Sequence, residues 1–507
     1  MQPEPPLQAV PISQANCRQD EPGGRATVVH HTIFFFLALF VILLPHSIKG
    51  ARYAWMIAFC AWLISLAIER KRMFEQPLAL PMLAYIGLSG LSTILSPDPY
   101  MSWGNMKVVC SVALVGTLFA QNLRRLSQVR ILVILLLLSA TAAAGFTAWQ
   151  YTYGIGVRLS SIGPDTPLYH AGLRPNDVIV KINGEPIHTP QQLLEALDRS
   201  APGSLVSINF LRGLPTSRRR TTVRVVPGDL GTQSLGLVRA KPVRAQGTLG
   251  HYGILAEVLM PIGCLAWSMM LSAQPRKPML RVLFVIIFLS LAMTIIATQT
   301  RAPIAGLAVG CFVALLLLAG MRVRMWGIGL LGGLILVATF WIHHFRRLGW
   351  IGVHDAGTSY RLLMWQDGLR LVRQHPWFGV GMGTVVNHWQ EWNIRAYALY
   401  HVQYHFHSDL VQLAVERGLP TLAAWLWFVV ANLIFLVGLF GRVRQRSRFA
   451  AGVVVGVFAS FVALLVPSLV EFCLNDETLV MLLFFYFGMA VAIDRMLKVP
   501  GAIEVEQ

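Results

Sequence analysis

The stretch His405-Phe-His-Ser-Asp-Leu-Val-Gln-Leu-Ala-Val-Glu-Arg-Gly-Leu-Pro-Thr421 places two histidines, two carboxylic acids and an arginine directly before an apolar run over residues 419 to 440. A helix over such a run is long enough to cross the roughly 30 Å hydrocarbon core of a bilayer. Ionisable side chains at its entrance cost free energy unless they carry out a function. The stretch therefore predicts a membrane-spanning helix with a functional site at the membrane surface.

The whole chain has the composition of a membrane protein. Of its 507 residues, 55% are hydrophobic and 13% are charged, and the mean hydropathy is +0.58. In soluble proteins roughly a quarter of the residues are charged. The predicted fold class is an all-α polytopic membrane protein of about twelve transmembrane helices with one small inserted α/β domain. The predicted spans are residues 29 to 46, 52 to 69, 78 to 95, 106 to 121, 130 to 150, 250 to 272, 279 to 298, 303 to 320, 325 to 342, 419 to 440, 450 to 470 and 478 to 493.

Lysines and arginines cluster in every second connection between these spans. The basic connections are Arg70-Lys-Arg72, Arg124-Arg125, Arg276-Lys277, Arg322 with Arg324, and Arg442 through Arg448. Basic loops stay on the cytoplasmic side, so both termini of this multi-pass protein are predicted to be cytoplasmic. The net charge of +18 is then a topology signal and an attraction to membrane lipids. With no basic soluble domain to carry that charge, we expect no nucleic-acid binding.

Changes in composition divide the chain into six predicted segments. These are a disordered cytoplasmic tail at 1–28, N-terminal transmembrane helices at 29–150, an inserted periplasmic domain at 154–228, central transmembrane helices at 245–342, a periplasmic catalytic loop at 343–418 and C-terminal transmembrane helices at 419–495. The six cysteines show no CxxC or Cys/His ligand spacing. Neither a disulfide framework nor a zinc site is therefore predicted.

The insert has the pattern of a small α/β domain. Val178-Ile-Val-Lys-Ile182 predicts a strand, Asn183-Gly184 a hairpin turn and Gln191 to Asp198 a short helix. The string Ala171-Gly-Leu-Arg-Pro-Asn-Asp-Val-Ile-Val-Lys-Ile-Asn-Gly184 resembles the bacterial form of the PDZ family.

This resemblance implies a peptide-binding loop whose backbone N–H groups hold a protein C-terminus beside an open sheet edge. The residues that match the loop by position are Gly154, Ile155, Gly156 and Val157. The alternative is a rigid spacer domain that binds no peptide. Both interpretations remain open from the sequence.

Motifs of the C-terminal half carry a second resemblance, which covers roughly residues 245 to 440. His407-Ser408, followed after nine residues by Gly418-Leu-Pro-Thr421, is similar to the His-(Asn/Ser/Gln)-x9-Gly-x-x-Gly signature of the O-antigen ligase and polymerase superfamily. Thr421 stands where that family usually has glycine. Arg361-Leu-Leu-Met-Trp365 with the glycine loop ending at Gly383, and Thr300-Arg301-Ala302, are similar to its Arg-x3-Trp, Gly-x-Gly and (Ser/Thr)-Arg-(Gly/Ala) patterns.

The resemblance implies a multi-pass protein of the bacterial inner membrane that transfers a glycan from undecaprenyl pyrophosphate to an acceptor hydroxyl, with lipid A-core as the family's precedent. Such a reaction needs cations for the departing phosphate and one base. Arg301 and Arg361 lie against the positive-inside trend and are the predicted catalytic cations, with lipid headgroups as the alternative partner. His407 is the predicted general base, ahead of His401 and His405.

The remaining basic residues of the 343–418 loop are further candidates for contact with the substrate. Those predicted to bind it are Arg346, Arg347, Arg395 and His405, with Arg370 and Arg373 in reserve. We expect no metal and no cofactor, because no familiar ligand spacing accompanies the histidines, although Asp409 leaves a metal site as an alternative.

Several functions share these motifs. The acceptor could be lipid A-core, a growing lipid-linked chain as in a polymerase, or a protein as in an O-oligosaccharyltransferase; the PDZ-like insert favours a protein partner. Functions of another class are a flippase or transporter and an envelope scaffold. Transport sites usually lie mid-span, whereas here the ionisable residues concentrate in the connections.

Overall fold

The computed structural model describes residues 24–69, 76–200, 204–212, 217–224, 236–242, 244–274, 278–329, 356–395 and 405–499. Within these ranges, nine helices are long and apolar enough to cross a membrane. Two more, Thr27–Leu43 and Ala79–Ile94, are apolar but shorter. Each predicted span coincides with one of these helices except 325–342, which lies mostly outside the described residues. The chain is a multi-pass membrane protein of predominantly helical fold.

The helices are α1 Gly24–Leu43, α2 Ile48–Glu69, α3 Ala79–Ile94, α4 Pro99–Asn122, α5 Leu126–Tyr153, α6 Pro167–His170, α7 Pro190–Asp198, α8 Tyr252–Ser272, α9 Pro278–Ala297, α10 Arg301–Leu318, α11 Ala356–Gln374, α12 Val385–His388, α13 Asp409–Val443, α14 Arg448–Ser468 and α15 Glu477–Leu497. The fourth and last predicted spans were the shortest, yet α4 and α15 are full-length helices. At the extended start of α4, Asp98 accepts a hydrogen bond from the Met101 N–H at 3.0 Å. Helix α15 starts next to its predicted start, where Asp476 accepts one from the Thr478 N–H at 2.9 Å, and it continues past its predicted end to Leu497.

Helix α15 lies at the centre of the bundle and α9 at its periphery. Of the apolar window of α15, 94% is buried, against 28% for α9. Small residues allow neighbouring helices to approach closely. A Cβ on Gly488 would lie 2.5 Å from the Gly116 carbonyl oxygen of α4, and one on Gly306 of α10 would lie 2.6 Å from the Ala463 oxygen of α14.

The helix ends form two faces. On one, which we call the site face, the Thr248 hydroxyl before α8 donates to the Pro45 carbonyl after α1 at 2.6 Å. On the other, the basic face, the Arg446 guanidinium donates to the Leu497 carbonyl at 3.1 Å, and Arg124 lies 3.2 Å from the His30 ring. Because α1 ends and α15 begins at the site face, their outer ends both lie at the basic face.

The insert folds as a six-stranded antiparallel sheet with α6 and α7. Its strands are β1 Gly156–Ser161, β2 Val178–Ile182, β3 Glu185–Pro186, β4 Leu205–Arg212, β5 Ser217–Arg224 and β6 Gly236–Ala240, in the order β5-β4-β2-β1-β6 with β3 beside β2. Asn183 and Gly184 have positive φ angles of 48° and 90° between β2 and β3, which confirms the predicted hairpin turn.

The structure corrects the position predicted for a peptide. Strand β1 pairs with β2 on one side and with β6 on the other, so no open sheet edge lies beside Gly154, Ile155, Gly156 and Val157. The Ile155 N–H is already bonded to the Ala240 carbonyl at 2.8 Å. The prediction failed because β6 follows the expected end of the domain at 228. The sheet therefore extends to residue 240, and its edge strands are β5 and β6.

Candidate active site

The predicted entrance of the tenth span is a helix broken by one glycine. Helix α13 is interrupted at Gly418, where φ is 82° and ψ is 168°. The loop before α12 packs into this break: the Leu419 N–H donates to the Pro376 carbonyl at 2.8 Å, and the Val380 N–H donates to the Val415 carbonyl at 2.9 Å. The segment 343–418 is therefore not one polar loop, since it contains α11 and the first turns of α13.

The two charged residues before Gly418 belong to the protein interior. Glu416 accepts a hydrogen bond from the Gly383 N–H at 2.7 Å. Arg417 donates to the Tyr85 hydroxyl at 2.6 Å and to the Ser89 hydroxyl at 3.3 Å. The exposed fractions of Glu416 and Arg417 are 4% and 6%. We call Tyr85, Gly383, Glu416 and Arg417 the buried knot.

A second charged group opens toward solvent on the site face. The Arg361 guanidinium donates to Glu471 Oε1 at 2.6 Å, and His407 Nδ1 lies 2.9 Å from Glu471 Oε2. The side chains of Arg361, Glu471 and His407 are 35%, 29% and 14% exposed. We call these three residues the open cluster. It contains the predicted base and one predicted catalytic cation.

Helix α11 is positioned by apolar packing and by one indole. Trp365 Nε1 donates to the Phe406 carbonyl at 3.0 Å, and a Cβ on Gly368 would lie 3.2 Å from the Phe406 ring. Arg361 lies one helical turn before Trp365 on the same face. The Arg-x3-Trp spacing thus fixes the helix to the backbone beside His407 and brings the guanidinium to the open cluster. The backbone of His407 has a φ of 47°, a value that residues other than glycine rarely adopt.

The charges of the open cluster act on one another. Burial alone would raise the pKa of Glu471, but its hydrogen bond with His407 and the charges of His407 and Arg361 lower it below its ordinary value. Burial lowers the pKa of His405 to about 4, and the nearby His407 ring, 4.4 Å away between centroids, adds to this shift. A base with so low a pKa has little driving force to take a proton from a hydroxyl, which favours His407 over His405.

Arg301 lies on the same face without a partner among the described residues. It is exposed at the first position of α10. Gly306 and Gly310 of α10 pack against Ala463 and Ala459 of α14, so the two helices run antiparallel. Extending this antiparallel register toward the start of α10 places Arg301 beside the end of α14. Along the helix axes, Arg301 and Glu471 are then at a similar position. Among the described residues, Arg301 makes no hydrogen bond or ion pair with the open cluster.

The other predicted residues have different surroundings. The Arg395 N–H and Nε both donate to the fully buried carboxylate of Asp367 at 2.8 Å, and Arg370 lies 3.6 Å from the same carboxylate. Both arginines therefore have an internal partner. Arg346, Arg347 and His401 lie outside the described residues. Within the described part of the chain, no group of three or more His, Cys, Asp or Glu side chains is arranged to hold a metal ion.

Sequence reasoning missed Glu471. It follows α14 in a connection interpreted only as poor in basic residues, and 64 positions separate it from His407. The available signal was a carboxylate immediately after an apolar span, on the side predicted for the other site residues. That signal alone gives no partner, because the contact depends on how α11, α13 and α14 pack.

Comparison with known proteins identifies two domains. Residues 283–426 match the family model described as O-antigen ligase, and residues 158–212 match the PDZ domain model. Both resemblances found in the motifs are confirmed. The first match includes Arg301, Arg361 and His407 and supports a membrane glycosyltransferase-like function. It ends before Glu471.

Curated relatives match over a short stretch. Over 59 residues, the chain is 41% identical to "Magnetosome formation protease MamE" of Magnetospirillum gryphiswaldense and 37% identical to the protein of the same name of Paramagnetospirillum magneticum. In each case the match covers 12% of this chain and 8% of the relative. The similarity has the length of one small domain and covers little of either relative. It therefore does not indicate that this chain is a protease.

Proposed function

We propose that the protein transfers a glycan from undecaprenyl pyrophosphate to an acceptor hydroxyl, as an O-antigen ligase with lipid A-core as its acceptor. The observation that carries the proposal is the open cluster, in which a histidine and an arginine of the matched motifs meet at one carboxylate. The family match and the many membrane spans support the same reaction, because a lipid-linked donor has to be reached at the membrane surface.

In the proposed reaction His407 Nε2, the ring nitrogen that does not face Glu471, takes the proton of the acceptor hydroxyl. The acceptor oxygen forms a bond to the anomeric carbon while the bond from that carbon to the pyrophosphate oxygen breaks. The electron pair of the broken bond remains on undecaprenyl pyrophosphate. Arg361 and Arg301 stabilise this charge, since a guanidinium matches phosphate oxygens with a planar set of donors. The imidazolium then loses its proton to water.

The proposed reaction occurs on the periplasmic side of the inner membrane, with both chain termini in the cytoplasm. Arginines such as Arg124, Arg442 and Arg446 at the basic face support this orientation. In intact cells, an impermeant thiol reagent should label a cysteine at Trp392→Cys and leave one at Arg446→Cys unlabelled. Labelling only at position 446 would reverse the orientation.

Two related functions use the same chemistry. A polymerase would extend a lipid-linked chain, and a protein O-oligosaccharyltransferase would glycosylate a protein. The PDZ match favours a protein partner, and the edge strands β5 and β6 are where a peptide could add to the sheet. A flippase or an inert scaffold would not need a histidine and an arginine joined at the surface.

Glycans extracted from a deletion strain distinguish these functions. Loss of a ligase should leave polymer on its lipid carrier, and loss of a polymerase should leave single repeat units. Restoration of the normal pattern by the wild-type gene, and not by His407→Ala expressed at the same level, is the expected result. An unchanged profile of both lipopolysaccharide and lipid-linked glycans would reject ligase and polymerase function, and glycoprotein analysis would then test the protein acceptor.

A further inference from the structure

We infer that Glu471 is a positioning residue for glycan transfer, whose carboxylate orients His407 and Arg361 together. This inference rests on the proposed function. Glu471 lies beyond the O-antigen ligase match, which ends at residue 426. No motif of the sequence contains it.

The geometry assigns one carboxylate oxygen to each partner. Oε1 accepts the hydrogen bond from Arg361 at 2.6 Å, and Oε2 lies 2.9 Å from His407 Nδ1. An ionised carboxylate can only accept hydrogen bonds, so Nδ1 carries the proton of the neutral ring. Nε2 is then the unprotonated nitrogen, which is the form a general base requires. The carboxylate thus selects the tautomer that the proposed reaction uses.

The backbone holds Glu471 in place. Its N–H donates to the Pro467 carbonyl at 2.8 Å, which continues the end of α14. Three residues later, the Leu474 N–H donates to the buried Asp409 carboxylate at 3.0 Å. Asp409 is the first residue of α13, directly after the turn that contains His407 and Ser408. The connection that carries Glu471 is therefore tied to the same turn whose histidine it contacts.

The contact between Glu471 and His407 also favours the transfer of the acceptor proton to His407. When His407 takes the acceptor proton, its new positive charge lies against a negative carboxylate. This is the role of the acid in a Ser-His-Asp triad, which orients the imidazole and stabilises the imidazolium. Glu471 is a poor base itself, because both oxygens have donors. The titratable groups coupled electrostatically to it are Arg361, His407, His405, His251, Glu257 and Cys473.

The test compares purified Glu471→Gln with wild type in a transfer assay using a lipid pyrophosphate-linked glycan. Glutamine keeps the shape and loses the charge. We expect kcat to fall about 10- to 100-fold, the range known for hydrogen-bond partners that orient metal-bound histidines, with KM for the donor changed by less than about threefold. The acidic limb of the pH profile of kcat should move to lower pH, since the imidazolium loses its stabilising charge. Glu471→Asp should restore the position of that limb.

Glu477→Gln is the matched control. Glu477 belongs to the same connection and also pairs with an arginine, Arg52. Its substitution should leave kcat and the pH profile unchanged. Thermal unfolding of each purified variant in detergent excludes loss of folded protein as the cause of a lower rate.

The His407→Ala background separates this inference from the proposed function. In the His407→Ala background only the contact of Glu471 with Arg361 is left to lose, so Glu471→Gln should lower the residual rate there by less than it lowers the wild-type rate, because residues that act as a unit are not additive. Near-normal transfer by Glu471→Gln with an inactive His407→Ala protein would overturn the inference alone. An equal loss on both backgrounds with an unmoved pH limb would also overturn it. Near-normal transfer by His407→Ala would reject His407 as the base and overturn this inference with it, whereas absence of transfer by the wild-type protein from any lipid pyrophosphate-linked glycan would reject the proposed function itself.

Discussion

The buried knot and the open cluster contain the same kinds of side chain and differ in their exposure. Glu416 and Arg417 are 4% and 6% exposed, whereas Glu471 and Arg361 are 29% and 35% exposed. In the knot the glutamate accepts from the Gly383 backbone N–H, and the arginine donates to hydroxyls of α3. In the open cluster the glutamate contacts both the arginine and a histidine. Residues of one sequence motif are thus divided between folding and the proposed chemistry.

This difference has an energetic reason. A buried charge without its partners is costly, and removing one partner of a buried pair typically destabilises a protein by about 3–5 kcal/mol. The knot uses its charges to hold the glycine loop against the break in α13. The open cluster is half-buried, so water compensates part of a lost contact and a substitution there can leave the protein folded. Substitutions in the two groups should therefore fail in different ways.

The largest expected effect is at Gly418, the break in α13 that directly follows the buried knot. Gly418→Ala should abolish accumulation of folded protein, because the φ of 82° and ψ of 168° are essentially restricted to glycine and a Cβ would lie 2.1 Å from the Trp377 carbonyl oxygen. Size-exclusion chromatography of detergent-solubilised protein measures this. Gly438→Ala, in the same helix with no atom within 4 Å of the added Cβ, is the control and should accumulate normally. A monodisperse, active Gly418→Ala protein would show that the break is not needed.

The next effect is in the open cluster and should change rate without loss of fold. His407→Ala should lower kcat by about 10²-fold or more, since general-base catalysis typically contributes 10²- to 10⁴-fold. Donor binding, measured separately with the lipid-linked glycan, should persist. His375→Ala, an exposed histidine of the loop before α12, should behave as wild type. If His407→Ala precipitates as Gly418→Ala is expected to, the distinction between the two groups fails.

A smaller loss is expected for Arg361→Lys. Lysine keeps the charge but loses the planar fork that reaches Glu471 and phosphate oxygens together. A hydrogen bond to a charged group contributes about 1.5–3 kcal/mol, so kcat/KM should fall about tenfold or more. Arg199→Lys is the control, because Arg199 forms an exposed pair with Glu195 at 3.0 Å, and such pairs contribute little. An unchanged kcat/KM in Arg361→Lys would show that only the positive charge of this arginine matters, and not its planar set of donors.

Hydropathy and motif spacing were sufficient to predict the helical bundle, the inserted domain and the two motif residues of the open cluster. They work because span length and turn chemistry are local properties. The peptide edge was misplaced because β6 pairs with β1 from about 80 residues downstream, across a polar stretch. Glu471 was missed because its contact with His407 likewise joins residues that are far apart in the sequence, 64 positions in this case. The charges of Glu416 and Arg417 were interpreted as evidence of a functional site, yet both side chains have hydrogen-bond partners inside the protein.

Asp476 provides the smallest test, because its carboxyl Oδ2 is buried and, within the described part of the chain, the carboxyl forms no ion pair. Oδ1 caps α15 through the Thr478 N–H at 2.9 Å, while Oδ2 has no hydrogen-bond partner among the described residues. Burial raises the pKa of Asp476 from an ordinary 3.8 to about 7. The folded protein therefore binds this proton more tightly than the unfolded chain. The stabilisation that the protonated carboxyl provides is fully present below pH 3.8 and is lost as the pH rises toward about 7.

Asp476→Asn should remove this pH dependence, since an amide keeps the acceptor for the Thr478 N–H and never ionises. The thermal unfolding midpoint of the variant, relative to wild type, should rise between pH 5 and pH 7 and then level off, because above pH 7 the wild-type carboxyl is already ionised in both states. Asp98→Asn controls for a change at a helix cap as such, since Asp98 caps α4 through the Met101 N–H at 3.0 Å. A difference between Asp476→Asn and wild type that is the same at every pH would show that Asp476 is ionised throughout. A cation or water would then have to stabilise the carboxylate, and Asp476 would resemble the open cluster more than the knot.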